Sequence, residues 1–145
     1  MLQDPALANS LERFVEAQDA DDSFLHALSE LESGQKVTHW IWWVFPQLRD
    51  LGRSSRAEYY GIAGREEARE YLLDPTLAFR LEQAVGIVLD LEQTDPVAIF
   101  GTVDAQKFQS CLTLFEAVAD EPDLFTQGLS KFYQNQADPQ TLQRL

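Results

Sequence analysis

An all-α fold is the class this sequence predicts, and three observations carry it. Beyond the N-terminal segment the pair Asp-Pro occurs at Asp74-Pro75, Asp95-Pro96 and Asp138-Pro139, and an aspartate cap followed by proline in the first turn is a helix start signal. Apolar residues recur at three- and four-residue spacing along most of the chain. No two alternating segments are joined by a hairpin turn. The expected architecture is a compact single-domain bundle of about eight short helices around a buried central aromatic helix. It covers residues 1–145, with its core from about residue 9.

Taken in order, Asn9-x-x-Glu12 opens the first helix, with Leu11, Phe14 and Val15 on its apolar face. The acidic run Asp19 to Asp22 breaks it and caps a second, on which Phe24, Leu25, Leu28 and Leu31 recur at helical spacing before a stop at Gly34. The stretch Thr38-His39-Trp40-Ile41-Trp42-Trp43-Val44-Phe45-Pro46-Gln47 holds all three tryptophans. Thr38 as cap and the lack of a partner strand favour a short helix here, apolar nearly all round and therefore interior. Pro46 ends it, because the residue before proline avoids helical angles.

A polar loop, Gly52 to Arg56, leads into Ser55-x-x-Glu58, a capping box for a helix through Tyr59 and Tyr60. Gly61 and Gly64 bracket a turn before a helix over 65–73. Asp74-Pro75 starts the longest helix, with Leu77, Leu81, Val85, Val88 and Leu91 inward. Asp95-Pro96 starts a short one closed by Gly101. Asp104 caps a helix burying Phe108, Leu112, Phe115 and Ala119, and Pro122 opens another with Phe125, Leu129 and Phe132 inward.

Composition removes several functions. Eleven Lys and Arg against 24 Asp and Glu give a net charge of -13, a field that repels nucleic acid and anionic lipid. The longest strongly apolar run, Trp40 to Phe45, is far too short to span a bilayer, and the N-terminal residues show no basic region followed by an apolar one. A cytoplasmic protein without nucleic-acid or membrane partners is expected. One cysteine and two histidines, with no His-x-x-x-His spacing, point to no metal and no cofactor. Cys111 lies beside the Phe108/Phe115 face and reads as an inert buried thiol, and His26 reads as a surface residue.

Three blocks carry a resemblance: His-Trp-x-Trp-x-x-Phe-Pro-Gln (His39 to Gln47), Leu-Gly-x-Ser (Leu51 to Ser54) and Ile-Phe-Gly-x-x-Asp-x-x-Lys (Ile99 to Lys107). The chain resembles, from about Leu11 to Leu145, a family of small bacterial proteins classed as a domain of unknown function, some of which carry a misleading label of calpastatin. The resemblance implies an all-helical single domain and supplies no activity, cofactor or catalytic residue. One departure stands at Ser110-Cys111-Leu112-Thr113-Leu114-Phe115, where the family usually has Ser-Ser-Met-Thr-Leu-Phe.

The candidate site is assembled from three sources. His39, placed on the aromatic helix beside Trp42, Trp43 and Pro46, would have its pKa lowered by desolvation and the positive helix end. It is then a weak catalytic candidate, although a core histidine bonded to a carbonyl is the commoner use. Trp40 and Trp43, with Gln47, form a wall that a flat ligand can stack on, or simply core. Lys107 at the third position after an Asp104 cap either pairs with Asp104 or faces an anion together with the helix N-terminus, and Ser110 adds a hydroxyl. Between Gly34 and Arg69, six basic residues (Lys36, Arg49, Arg53, Arg56, Arg65, Arg69) outnumber four acids. There Arg53-Ser54-Ser55-Arg56, at a helix start, suits a phosphate or carboxylate held by backbone N–H groups and arginine forks. Two functions follow. One is a binder of, or enzyme acting on, an anionic, nucleotide-like small molecule at His39, Trp40, Trp43, Gln47, Arg53, Ser54, Lys107 and Ser110. The other is a non-catalytic protein-interaction module with the aromatic stretch purely structural.

Overall fold

In a computed structural model, residues 3–145 are described; Met1 and Leu2, part of the N-terminal segment read above for a secretory signal, lie outside the described residues. Helices α1 (Glu12–Asp19) and α2 (Ser23–Glu32) are followed by the single turn α3 (Ile41–Val44), then α4 (Ser55–Tyr60) and α5 (Arg65–Leu73). The second half holds α6 (Pro75–Asp90), α7 (Pro96–Phe100), α8 (Thr102–Val118), α9 (Asp123–Tyr133) and α10 (Pro139–Gln143). No strand occurs among the described residues, and the fold is all-α. No helix among them is long and apolar enough to cross a membrane.

Each of these three Asp-Pro pairs starts a helix by the expected chemistry. Asp74 accepts from the N–H groups of Thr76 and Leu77, Asp95 from Val97, and Asp138 from Thr141. These bonds satisfy donors that have no partner inside the helix. The break after α1 is also where the acidic run placed it. Asp21 and Asp22 take left-handed angles, φ 52° and 55°, which aspartate tolerates better than most residues. Neither caps α2 through its side chain, however. Gly34 stops α2 at φ 83°.

Other boundaries move. Ser10 rather than Asn9 bonds the start of α1, Ser54 rather than Ser55 caps α4, and α8 begins at Thr102, so Asp104 lies in its first turn instead of capping it. At 17 residues α8, not the 16-residue α6, is the longest helix. Leu25 is 62 % exposed, not inward.

The core forms where α8 packs on α5, α7, α9 and α10, and α6 on α2, α5 and α9. The expected central aromatic helix shrinks to α3, yet Trp40, Ile41, Trp43, Val44 and Phe45 are all buried. Phe45 is the wedge: its ring meets Trp40 at 6.0 Å, Phe100 at 6.0 Å and Phe108 at 4.8 Å. Contacts of this geometry add about 0.5–1.5 kcal/mol each beyond area burial. Tyr71 does the same between Phe14 and Phe115, each 5.2 Å away.

After Pro46 the chain runs extended and pairs once, Leu48 with Ile62, through Arg49 N–H to the Ile62 carbonyl at 2.8 Å and Ile62 N–H to the Gln47 carbonyl at 2.9 Å. Gly61 permits that approach, since a Cβ there would lie 2.3 Å from the Arg49 Cα. The pairing fixes the 47–53 segment against α4.

Arg13 locks the same region from the other side. Only 1 % exposed, it donates to the Ser10, Tyr59 and Gly61 carbonyls and to both carboxylate oxygens of Glu67. A buried charge is tolerated only with such full pairing.

Candidate functional site

The eight residues singled out in the sequence do not converge on one cavity. Three line one cavity and four another, and Ser54 lines neither.

The first cavity, about 320 Å³, lies between the α1–α2 junction, the segment before α3, and α4. His39, Trp40 and Trp43 line it together with Ser23, His26, Arg56 and Tyr60. Both tryptophan rings are buried, and the Trp43 indole N–H donates to the Ser23 hydroxyl at 2.9 Å. Burial pushes the Tyr60 hydroxyl up to about 12, so it stays protonated at neutral pH. His39 is exposed and precedes α3. The buried setting expected for it, beside Trp42, Trp43 and Pro46 on a helix, is corrected.

The reason lies in Glu30. Its carboxylate accepts from the Val37 and Thr38 N–H groups at 2.7 and 2.9 Å, the Thr38 hydroxyl at 2.5 Å and the Trp40 indole N–H at 3.0 Å. Thr38 is thereby committed to Glu30 and does not cap α3. Burial pushes the Glu30 carboxyl up, but these bonds outweigh it and hold the group down at about 2 against an ordinary 4.5. Lys36 completes the clasp, with its Nζ 2.8 Å from Asp104 and 4.9 Å above the Trp40 ring.

The second cavity is a groove of about 440 Å³ between the 47–53 segment, the N-terminal half of α8, and α10. Gln47, Arg53, Lys107 and Ser110 line it, joined by Asp50, Gln106, Asp138, Gln140 and Arg144. Lys107 lies beyond the first turn of α8 and not at the third position after a cap. Its ammonium sits 3.8 Å from Asp104 and 4.8 Å from the centre of the Trp42 ring. Arg53 is exposed and makes no ion pair or hydrogen bond among the described residues. Arg144 is held by the Gln140 carbonyl and side-chain oxygen, both at 2.9 Å.

Two expected ligand contacts are already employed. The Ser54 hydroxyl accepts from Ala57 N–H at 3.1 Å and lines neither cavity. Ser110 is buried, and its hydroxyl lies 3.1 Å from the Gln106 carbonyl and 3.0 Å from Asp138. The same Asp138 oxygen also accepts from the Thr141 N–H and hydroxyl. Asp138 and Ser110 thus form the floor of the groove rather than its mouth.

Trp42 joins the two cavities. Arg56, from the first, lies 5.1 Å from the same ring that Lys107, from the second, approaches. Cations over an indole gain about 0.5–1 kcal/mol each at such exposure. Cys111 is fully buried and its thiol is pushed up, in keeping with an inert residue. No group of three or more metal-ligating side chains is present among the described residues.

Sequence reading missed His26 and Tyr60 for the first cavity, and Gln106, Gln140 and Arg144 for the groove, and it grouped Arg56 with Arg53, which lines the other cavity. None of the missed residues stands in a local pattern with the residues it joins.

The chain belongs to the family described as "Protein of unknown function (DUF1810)", whose model matches residues 8–145. It is similar to the conserved hypothetical protein Rv1873 from Mycobacterium tuberculosis, known from a crystal structure at 1.38 Å. The two share 39% identity and a TM-score of 0.91, over 94% of this chain and 96% of that one. No protein with a curated description matches. The likeness in structure supports the all-helical fold.

Proposed function

We propose that this protein binds a small anionic molecule in the groove between the 47–53 segment, α8 and α10. The observation that carries the reading is the meeting of Arg53, Lys107 and Arg144 along one concavity of a chain with net charge -13. Against them stand Asp50, Asp138 and, 3.8 Å from Lys107, Asp104; Asp138 is buried and occupied by three hydrogen bonds to one of its oxygens, and Asp104 is paired with Lys36 at 2.8 Å. Elsewhere the acidic surface turns anions away, so a local concentration of cations favours their arrival here. Arg53 offers a planar fork of donors and Lys107 a point charge, a complementary pair for phosphate or carboxylate. The volume falls in the range of small-molecule sites, roughly 300–1,000 Å³.

The interaction-module reading asks for an exposed apolar patch at Trp42 or Tyr59, and both are half-buried. The exposed large apolar side chains Leu25 and Phe79 lie elsewhere, which leaves the anion reading better supported.

The test is a melting-temperature screen of the intact protein against inorganic phosphate, pyrophosphate and small carboxylates at low salt. A ligand at 100 times its Kd stabilises the native state by about 2.7 kcal/mol. Arg53→Gln is expected to reduce the shift while changing the unliganded stability by less than about 0.5 kcal/mol. A screen with no shift by any anion would overturn the reading.

A further inference from the structure

The aromatic side chains fall to the first cavity and all but one of the carboxamides, Gln3, to the groove, and that difference bears on what the anion is attached to. This step rests on the anion reading above. Three rings, Trp40, Trp43 and Tyr60, line the first cavity, whereas no aromatic residue lines the groove among the described residues. The groove instead carries three carboxamides, Gln47, Gln106 and Gln140. Neither the Gln47 nor the Gln106 amide makes a hydrogen bond within the protein among the described residues.

A nucleobase is held chiefly by stacking on aromatic rings and by bonds to its edge, and the groove offers no such ring, its two guanidinium planes being assigned to the anion or held by Gln140. A hydroxyl needs a partner that both donates and accepts, which a carboxamide does at one end of one side chain. The exposed Asp50 carboxylate adds an acceptor. A groove of about 440 Å³ also holds far more than a bare phosphate. We infer that the ligand is an anion carried on a polyhydroxylated, non-aromatic carbon frame, of the sugar phosphate or sugar acid class. Arg53 and Lys107 hold the charged group, and the amides of Gln47 and Gln106 read the hydroxyls.

Calorimetric titration of the intact protein with inorganic phosphate, ribose 5-phosphate, glucose 6-phosphate and adenosine 5′-monophosphate separates the possibilities. At least one sugar phosphate is expected to bind about tenfold or more tighter than inorganic phosphate. The adenine nucleotide is expected to bind no tighter than ribose 5-phosphate. Gln106→Ala, at an exposed position, should bring the sugar phosphate down towards phosphate and leave phosphate itself unchanged. Equal affinities for phosphate and both sugar phosphates would overturn this inference and leave the anion reading standing, as would a nucleotide that binds about tenfold tighter than ribose 5-phosphate. No binding by any of the four, together with no anion shift in the melting screen, would remove the anion reading and this inference with it.

Discussion

The two cavities beside Trp42 differ in how much of their chemistry is already committed. Around the first, indole and hydroxyl groups are tied to the protein itself: Trp40 to Glu30, Trp43 to Ser23. Around the groove, Arg53 and the amides of Gln47 and Gln106 are left unengaged, and Lys107 has only a long ion pair and a ring contact. An unusual cluster of aromatic residues therefore marks where the fold is held, while plainer residues supply the surface free to bind. Side chains that must hold the native state cannot also be at the disposal of a ligand.

That contrast can be broken most forcefully at Arg13, which ties α1 to the end of α4, the helix whose Arg56 and Tyr60 line the first cavity. Arg13→Met leaves Glu67 charged and partly buried without its partner. A loss of about 3–5 kcal/mol is expected in urea denaturation. If unfolding free energy changed by less than 1 kcal/mol, the first cavity would not be the committed region described.

A smaller effect is expected at Glu30. Its carboxyl is lower in the folded protein, about 2, than the ordinary 4.5. The ionised form is thus favoured by folding, so its contribution is full above about pH 4.5 and disappears as pH falls towards 2. Glu30→Gln should cost about 1–2 kcal/mol at neutral pH. The gap between variant and wild type should close in acid, as followed by denaturation at stepped pH. A gap independent of pH would mean that the charge on Glu30 is not what holds residues 37–40.

The smallest change sharpens the comparison instead. His39→Ala removes an exposed side chain from the first cavity and should alter stability by less than about 0.5 kcal/mol. Anion affinity in the groove should stay as it was, because His39 and Lys107 line different cavities. A parallel loss of anion binding would show the two cavities acting as one.

Much of the fold was legible because the signals were local. Asp74, Asp95 and Asp138 reach N–H groups two or three residues ahead, within the reach of any sequence window. The candidate site was less legible, because distant partners decided it. Thr38 is a sound cap by type, but a carboxylate eight residues earlier claimed it. Ser54 and Ser55 are equally able to cap. The backbone settles on Ser54 where Ala57 packs so closely on Gly52 that a Cβ at Gly52 would lie 2.2 Å from that of Ala57. Arg13 makes its decisive contacts 46 to 54 residues away, and no periodicity in α1 distinguishes it from a solvated arginine. Arg144 enters the groove from α10 for the same reason unseen: its neighbours there are assembled by tertiary packing.

Trp42 gives the molecule an optical handle. Of the three tryptophans it alone is half-buried; Trp40 and Trp43 are sealed in the core. A neutral collisional quencher should therefore reach one emitter and spare two. Because Lys107 lies over that same ring, an anion that draws the ammonium aside alters the emission of Trp42 without any label being attached.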